Sequence, residues 1–210
     1  MTRRRGPLRV ALTGGIGSGK SAALAAFAAE GAATLSADAV VHELSAPGKP
    51  AYRAIVKAFG SGVLATDGAL DRAGLGEKVF RSASMLRKLE RIVHPLVRRE
   101  MRRRVSAARR PVVVVDVPLL FENGLETEYD LTLVVSAPRP LRLKRVMRRD
   151  GLSKASVERR MRAQLPPGEK EKRADIVLRN TGSLTSLRRS VREYQLAFDL
   201  IGHSLRRSTR

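Results

Sequence analysis

Residues 14–21 read Gly14-Gly15-Ile16-Gly17-Ser18-Gly19-Lys20-Ser21 and match GxxxxGK[ST], the pattern of a loop that binds nucleotide phosphates. Its glycines permit positive φ angles and let backbone N–H groups face phosphate oxygens at the start of a helix. We expect Lys20 to reach the β- and γ-phosphates and the Ser21 hydroxyl to ligate Mg²⁺. The stretch predicts a protein that uses ATP or GTP.

The segments on either side have the order that such a loop requires. Residues 8–13 form a short apolar run typical of a buried strand, and residues 22–30 (AALAAFAAE) are strong helix formers. This context favours a functional loop over the alternative, a chance match in a glycine-rich turn.

Short runs rich in Val, Leu and Ile alternate with helical stretches along the rest of the chain. This alternation is typical of an α/β fold whose parallel sheet is covered on both faces. The predicted strands are residues 10–13, 33–36, 112–117, 131–136 and 176–178.

The chain divides into three predicted parts. The nucleotide-binding core comprises residues 1–38, 110–140 and 165–210. Residues 39–109, with helical stretches at 51–59 and 83–105, form a substrate-binding insertion, and the arginine-rich residues 141–164 form a helical lid. A lid at this place would cover the substrates of a nucleotide kinase.

Composition excludes several classes of protein. The sequence contains no Cys, which excludes a disulfide scaffold and a thiolate metal site. No apolar run approaches the ~20 residues that span a bilayer, and residues 1–9 lack the apolar segment of a signal peptide. We expect a cytoplasmic protein with no membrane partner.

The formal net charge of +21 raises a nucleic-acid partner as an alternative. The excess is mainly Arg, spread over helical stretches such as residues 102–104 and 148–149, and no aromatic platform for stacking bases accompanies it. We expect no dedicated nucleic-acid function, because attraction for polyanionic small molecules fits the charge equally well.

Two aspartates follow predicted strands. Asp38 comes just after the second strand, at the edge of the sheet where a carboxylate can accept a proton from an attacking hydroxyl. Alternatively, it caps the helix predicted at residues 39–44. Asp116 ends the apolar run of the third strand, where a carboxylate contacts Mg²⁺ directly or through water. Its alternative is a strand-end carboxylate that caps the turn at residues 118–122.

Three arginines and one histidine complete the candidates. Arg142, Arg145 and Arg149 are spaced i, i+3 and i+7 and share a helix face, from which they can clamp phosphates. A solvated face is the alternative in a chain so rich in Arg. His94 precedes Pro95, so we expect the helix there to end or kink.

Taken together, these segments resemble the dephospho-coenzyme A kinase family over nearly the whole chain. The resemblance rests on residues 12–21, Ala37-Asp38, Ile92-Val93-His94-Pro95, Pro118-Leu119-Leu120-Phe121-Glu122, residues 145–152 (RVMRRDGL), Ala163-Gln164 and residues 174–180. It implies a three-layer P-loop NTPase core with a five-stranded parallel sheet, a helical insertion that binds coenzyme A and a helical lid.

The resemblance also implies a reaction and a set of roles. The family transfers the γ-phosphoryl group of ATP to the ribose 3′-hydroxyl of dephospho-CoA with Mg²⁺. Asp38 would be the base or the group that orients the 3′-hydroxyl, and Lys20, Arg145 and Arg149 would stabilise the transferring group. We favour a monomer.

Binding residues follow from the same resemblance. Residues 14–21 with Ala22 would hold ATP, and Asn180 would lie near the adenine, although a turn-forming Asn before Thr181-Gly182 is the alternative. The substrate cleft would be shaped by His94, Pro118, Leu119, Leu120 and Glu122.

Two positions depart from the family pattern. Ser36 stands where many relatives carry an acidic residue, and Ala22 stands where relatives often have Thr. Asp38 and Ser21 remain, so the atoms that the chemistry needs are present. The rival activities are a kinase for another nucleotide or nucleoside and a basic nucleic-acid-binding ATPase.

Overall fold

The fold is that of a computed structural model, which describes residues 6–207 apart from the side chains of residues 80, 206 and 207. It divides into two compact units, one of residues 6–35 and 105–207 and one of Ser36–Arg104. The second unit takes in most of the predicted insertion, and residues 141–164 belong to the first. Residues 1–5 and 208–210 of the predicted core lie outside the described residues.

A five-stranded parallel sheet forms the centre of the first unit. Its strands lie in the order β2-β3-β1-β4-β5. Their bounds are β1 Leu8–Thr13, β2 Ala33–Ser36, β3 Val112–Asp116, β4 Leu131–Ser136 and β5 Ile176–Arg179. The predicted strands are confirmed to within two residues at each end. Parallel strands place their carboxyl ends at one edge, where ligands bind in such folds.

Helices connect the strands and build the second unit. Within residues 6–207 they are α1 Lys20–Ala29, α2 Ala37–Leu44, α3 Pro50–Phe59, α4 Arg72–Phe80, α5 Ala83–Ala107, α6 Arg139–Asp150, α7 Lys154–Arg162, α8 Pro167–Arg173 and α9 Leu184–Arg207. None of these helices has the length and apolar character that crossing a membrane requires.

The core of the first unit explains why its strands are so apolar. All four valines of Val112–Val115 are fully buried, because helices cover both faces of a parallel sheet. On one face α1 and α9 pack together through Phe27 and Phe198, whose ring centroids are 6.0 Å apart. The strand ends that carry the site are therefore held by a packed core.

The second unit has an apolar cluster of its own, built around Ala51, Ile55 and Val79. Helix α5 crosses Pro95 and continues to Ala107, so the expected end of the helix at this position is wrong. A proline in a helix interior costs roughly 3 kcal/mol. Leucine, isoleucine and valine side chains of α5 on both sides of it pack against the cluster, and their burial outweighs that cost.

Candidate active site

The predicted phosphate loop connects β1 to α1, at the carboxyl edge of the sheet. Gly17 and Gly19 have φ angles of 77° and 100°, in the left-handed region that glycine tolerates. Gly19 is the N-cap of α1, and within the described residues no side chain caps this helix. Backbone N–H groups at the start of α1 are therefore available to an anion.

The loop passes too close to its neighbours for side chains at its glycines. A Cβ atom on Gly17 would lie 2.6 Å from the carbonyl oxygen of Arg142. A Cβ on Gly14 would collide with the carbonyl oxygen of Val135, and one on Gly19 with the Asn180 amide. The loop sequence is thus fixed by both backbone angle and space.

We expect Gly19→Ala to weaken ADP binding by at least about tenfold, or ~1.4 kcal/mol. The substitution combines a positive φ with a collision against the Asn180 amide, so either the loop or the side chain that bonds Ser18 must move. Calorimetric titration with ADP measures the effect.

Gly31→Ala is the matched control for this loss. Gly31 has nearly the same φ, 97°, but a Cβ there would meet nothing within 4 Å. This variant should lower the melting temperature through backbone strain while ADP affinity stays at the wild-type value. Equal loss of ADP affinity in both variants would show that strain alone disturbs the loop.

The residues after the loop glycines have different surroundings. Lys20 is the first residue of α1 and makes no side-chain hydrogen bond or ion pair with the described residues of its own unit. Ser21 is exposed beside it. Ala22, predicted to contact the nucleotide, packs against the core cluster. The cation and the hydroxyl are the groups left available for a phosphate.

Asn180 and Arg145 hold the loop from outside. The Asn180 amide donates to the carbonyl oxygen of Ser18 at 2.8 Å, and its own backbone N–H bonds Ser136 at the end of β4. Arg145 donates weakly to the Ser18 carbonyl at 3.4 Å and to the Asn180 side chain at 3.5 Å. The guanidinium of Arg145 is therefore brought next to the phosphate loop.

The other two arginines of α6 differ from Arg145. Arg142 is buried against Gly15, and burial, with a smaller repulsion from Arg139, lowers the pKa of its guanidinium. Arg149 is exposed and bonds Asp150 at 2.6 Å, which raises the pKa of the Arg149 guanidinium. The spacing predicts one shared face, but only Arg142 and Arg145 contact the loop.

The segment after β3 is tied to the phosphate loop as well. Asp116 lies opposite Leu12 in the sheet, one residue before the end of β1. The Thr13 hydroxyl donates to the carbonyl oxygen of Pro118 at 3.2 Å. This arrangement brings the Asp116 carboxylate to the edge of the sheet where the loop begins.

The predicted cleft residues of this segment have unequal exposure. Leu119 is exposed, whereas Leu120 is fully buried in the core. The Glu122 carboxylate accepts the Leu165 N–H at 3.0 Å and lies 2.7 Å from the Lys170 ammonium. Burial raises the pKa of Glu122, but Lys170 and the Leu165 N–H outweigh it and hold that pKa below its usual value.

Asp38 and His94 belong to the second unit. Asp38 is an exposed residue in the first turn of α2. The N-cap of α2 is Ser36, whose hydroxyl accepts the Ala39 N–H at 3.2 Å, so Asp38 is not the cap. His94 is exposed on α5 and lines a surface cavity of about 720 Å³ with arginines of the same helix.

The described residues contain no group of three or more His, Cys, Asp or Glu side chains that could hold a metal by itself. Ser21 and Asp116 are the oxygen-bearing side chains that the sequence predicts for Mg²⁺. A site with so few protein ligands suits a metal ion that arrives with nucleotide phosphates and keeps its own waters.

A family model described as Dephospho-CoA kinase matches residues 8–186. The chain belongs to the dephospho-CoA kinase family. The resemblance expected from the loop, the His94-Pro95 pair and residues 118–122 is thereby confirmed, and a chance match of the loop pattern is excluded. As a member of the dephospho-CoA kinase family, the protein is a kinase with a nucleotide-binding P-loop.

Individual relatives agree over most of the chain. A Dephospho-CoA kinase of Anaeromyxobacter dehalogenans is 46% identical over 181 residues, which cover 85% of this chain and 86% of that protein. The crystal structure of TT1252 from Thermus thermophilus has a TM-score of 0.82 and 38% identity, covering 92% of this chain and 98% of that one. A Dephospho-CoA kinase structure from Campylobacter jejuni gives 0.64 and 26%, covering 91% and 96%.

Two residues of the site have no role predicted from the sequence. Gln164 accepts the Ile16 N–H of the phosphate loop at 2.9 Å, and Lys170 is buried beneath the loop. Gln164 lies within a segment that resembles the dephospho-CoA kinase family, but that resemblance does not say what the side chain does. Lys170 lies in the polar, charged stretch of α8, where burial of one lysine has no sequence signature.

Proposed function

We propose that the protein transfers the γ-phosphoryl group of ATP to the 3′-hydroxyl of the ribose of dephospho-CoA, the last step of coenzyme A biosynthesis. The observation that carries this proposal is the glycine loop with an uncapped helix start and Lys20 beside it, in a chain whose residues 8–186 match the family. ATP is the phosphoryl donor.

Phosphoryl transfer needs little covalent chemistry from a protein, so catalysis is mainly positioning and charge stabilisation. The N–H groups at the start of α1 bind the β-phosphate, and the Lys20 ammonium neutralises charge on the β- and γ-phosphates. Arg145, held beside Ser18, adds a second positive charge. We assign Arg149 a role after residues 141–164 have closed over the substrates. In that closed state its guanidinium leaves Asp150 and binds a phosphate.

We propose Asp38 as the group that orients the ribose 3′-hydroxyl and accepts its proton. Two observations support this role. The Asp38 carboxylate is exposed, and it does not cap α2, because Ser36 is the N-cap of that helix. Asp38 lies two residues after the end of β2, and the carboxyl edge of a parallel sheet is where such folds hold substrates.

We propose Mg²⁺ as the metal, with Ser21 and Asp116 as its protein-side partners. Both supply oxygen, which Mg²⁺ prefers, and the missing ligands are those that phosphates and water provide. The ion would neutralise charge that develops on the transferring phosphoryl group.

The remaining assignments follow the same reaction. Residues 141–164, which contain most of α6 and all of α7, form the lid that excludes water. His94, Pro118 and Leu119 contribute to the dephospho-CoA cleft, and Asn180 contacts the adenine of ATP from its place beside Ser18. We propose a cytoplasmic monomer without a dedicated nucleic-acid partner.

A coupled assay of ADP release over a set of acceptors tests the function. With dephospho-CoA, AMP, CMP, UMP and adenosine offered separately at equal concentration, we expect turnover above ATP hydrolysis with dephospho-CoA. A preference for another acceptor would establish a different nucleotide or nucleoside kinase. Turnover of none of them, with salt-sensitive binding to oligonucleotides, would establish the nucleic-acid alternative.

A further inference from the structure

A chain of contacts joins the ion pair of Lys170 and Glu122, in the first unit, to the phosphate loop. Its first link is Gln164, whose side-chain oxygen accepts the Ile16 N–H at 2.9 Å. Ile16 is part of the loop, and Gln164 lies between α7 and α8, so this bond fixes the loop from a separate segment of the chain.

The second link fixes Gln164 itself. Its neighbour Leu165 donates its backbone N–H to the Glu122 carboxylate at 3.0 Å. Glu122 follows β3 by a short turn whose Leu120 and Phe121 are buried in the core. The backbone at residues 164–165 is therefore held by a carboxylate that the core keeps in place.

The third link is Lys170. Its side chain is 1% exposed, and its ammonium lies 2.7 Å from the same Glu122 oxygen that accepts the Leu165 N–H. The contact is an ion pair between the ammonium and the carboxylate. Because removing charges from water costs much of what their attraction returns, the pair is weak evidence for stability, and positioning is the role that we test.

Lys170 is buried rather than open to solvent, where a nucleotide would arrive. The cavity that it lines beneath Gly15 and Ser18 is about 10 Å³, room for at most one water molecule. We therefore attribute the effect of Lys170 on phosphate binding to the residues that it holds, and a variant that removes both charges of the pair leaves the net charge beside the loop unchanged.

We infer that Lys170 is a positioning residue for the phosphate loop, acting through Glu122, Leu165 and Gln164 on the N–H of Ile16. The ion pair holds the junction of α7 and α8 so that Gln164 meets the loop before nucleotide arrives. The inference rests on the proposed function only for the identity of the nucleotide.

Two variants separate positioning from stability. Replacing the ion pair with Glu122→Met and Lys170→Met together removes both charges, so no charge is left buried alone and we expect the fold to be retained. Gln164→Met keeps the ion pair and removes only the acceptor for Ile16. The matched control is Glu169→Ala with Lys172→Ala. These two residues form an exposed ion pair, 3.0 Å apart, on α8, the helix that carries Lys170.

ADP affinity, measured by calorimetry without any acceptor, is the decisive readout. We expect the pair variant and Gln164→Met each to weaken ADP binding about three- to tenfold, the equivalent of one hydrogen bond. Combining them should weaken it no further than the larger single effect, because both break one chain of contacts. The control pair should bind ADP as the wild type does.

Three results would overturn the inference. They are an unchanged ADP affinity in Gln164→Met, effects that multiply in the combined variant, and a pair variant that melts earlier yet binds ADP normally. If the pair variant does not fold, Gln164→Met alone decides the question. A wild-type protein that binds ADP but leaves dephospho-CoA unphosphorylated would refute the proposed function and leave this test intact.

Discussion

Replacing Asp38 with Asn is expected to lower kcat by about 10²–10⁴-fold while the affinity for ATP stays unchanged. Asn keeps the volume of the side chain but cannot take the proton of the 3′-hydroxyl. Stability should change little, because Ser36 caps α2 and Asp38 adds only a first-turn charge, worth about 0.3–1 kcal/mol. Steady-state kinetics with dephospho-CoA and a melting curve measure the two effects separately.

Asp67→Asn is the control for this prediction. Asp67 is an exposed aspartate of the same unit whose side chain accepts the Ala69 N–H. We expect this variant to turn over at the wild-type rate. If Asp38→Asn did so too, Asp38 would not be the base.

Replacing Lys20 with Ala should damage both ATP binding and chemistry. Lys20 is the first residue of α1, whose first N–H groups have no side-chain cap, so we expect loss of its ammonium to remove charge from the bound and the transferring phosphates. We expect kcat to fall by about 10²–10³-fold and the KM for ATP to rise. Lys20→Arg should be little more active than Lys20→Ala, because a planar guanidinium does not fit the space of a compact ammonium.

Lys172→Ala controls for the loss of one positive charge. Its side chain is 73% exposed, and it lies on a helix of the same unit. Activity equal to the wild type is expected for it. Unchanged kinetics in Lys20→Ala itself would overturn the assignment of the phosphate loop.

Most of the fold was predictable because its strands are short, strongly apolar runs that stand out from the rest of the sequence. Val112–Val115 is a continuous valine run, and only a strand covered on both faces buries all four side chains. Helix α5 was harder to predict, since Pro95 signals a break and the apolar contacts that outweigh it come from residues distant in sequence. Local rules describe a helix well until tertiary packing overrides them.

The parts of the site that are set by the glycine motif were predictable from the sequence. The parts that depend on which side chains are buried, and on what they contact, were less so. The loop glycines follow from the motif, and the structure adds that Gly17 and Gly19 have no room for a side chain. Spacing alone could not separate Arg145, beside Ser18, from Arg149, which pairs with Asp150. Nor could it show that Glu122 bonds Leu165 and pairs with a buried lysine.

The identity and position of the product test the central claim most directly. Purified protein, ATP, Mg²⁺ and dephospho-CoA are incubated together, and the acceptor is recovered and examined by mass spectrometry and phosphorus NMR. We predict that one phosphoryl group is added, that its phosphorus couples to the ribose 3′-proton, and that ADP forms in equal amount. ADP formation without a modified acceptor, or a phosphate at another position, would contradict the account.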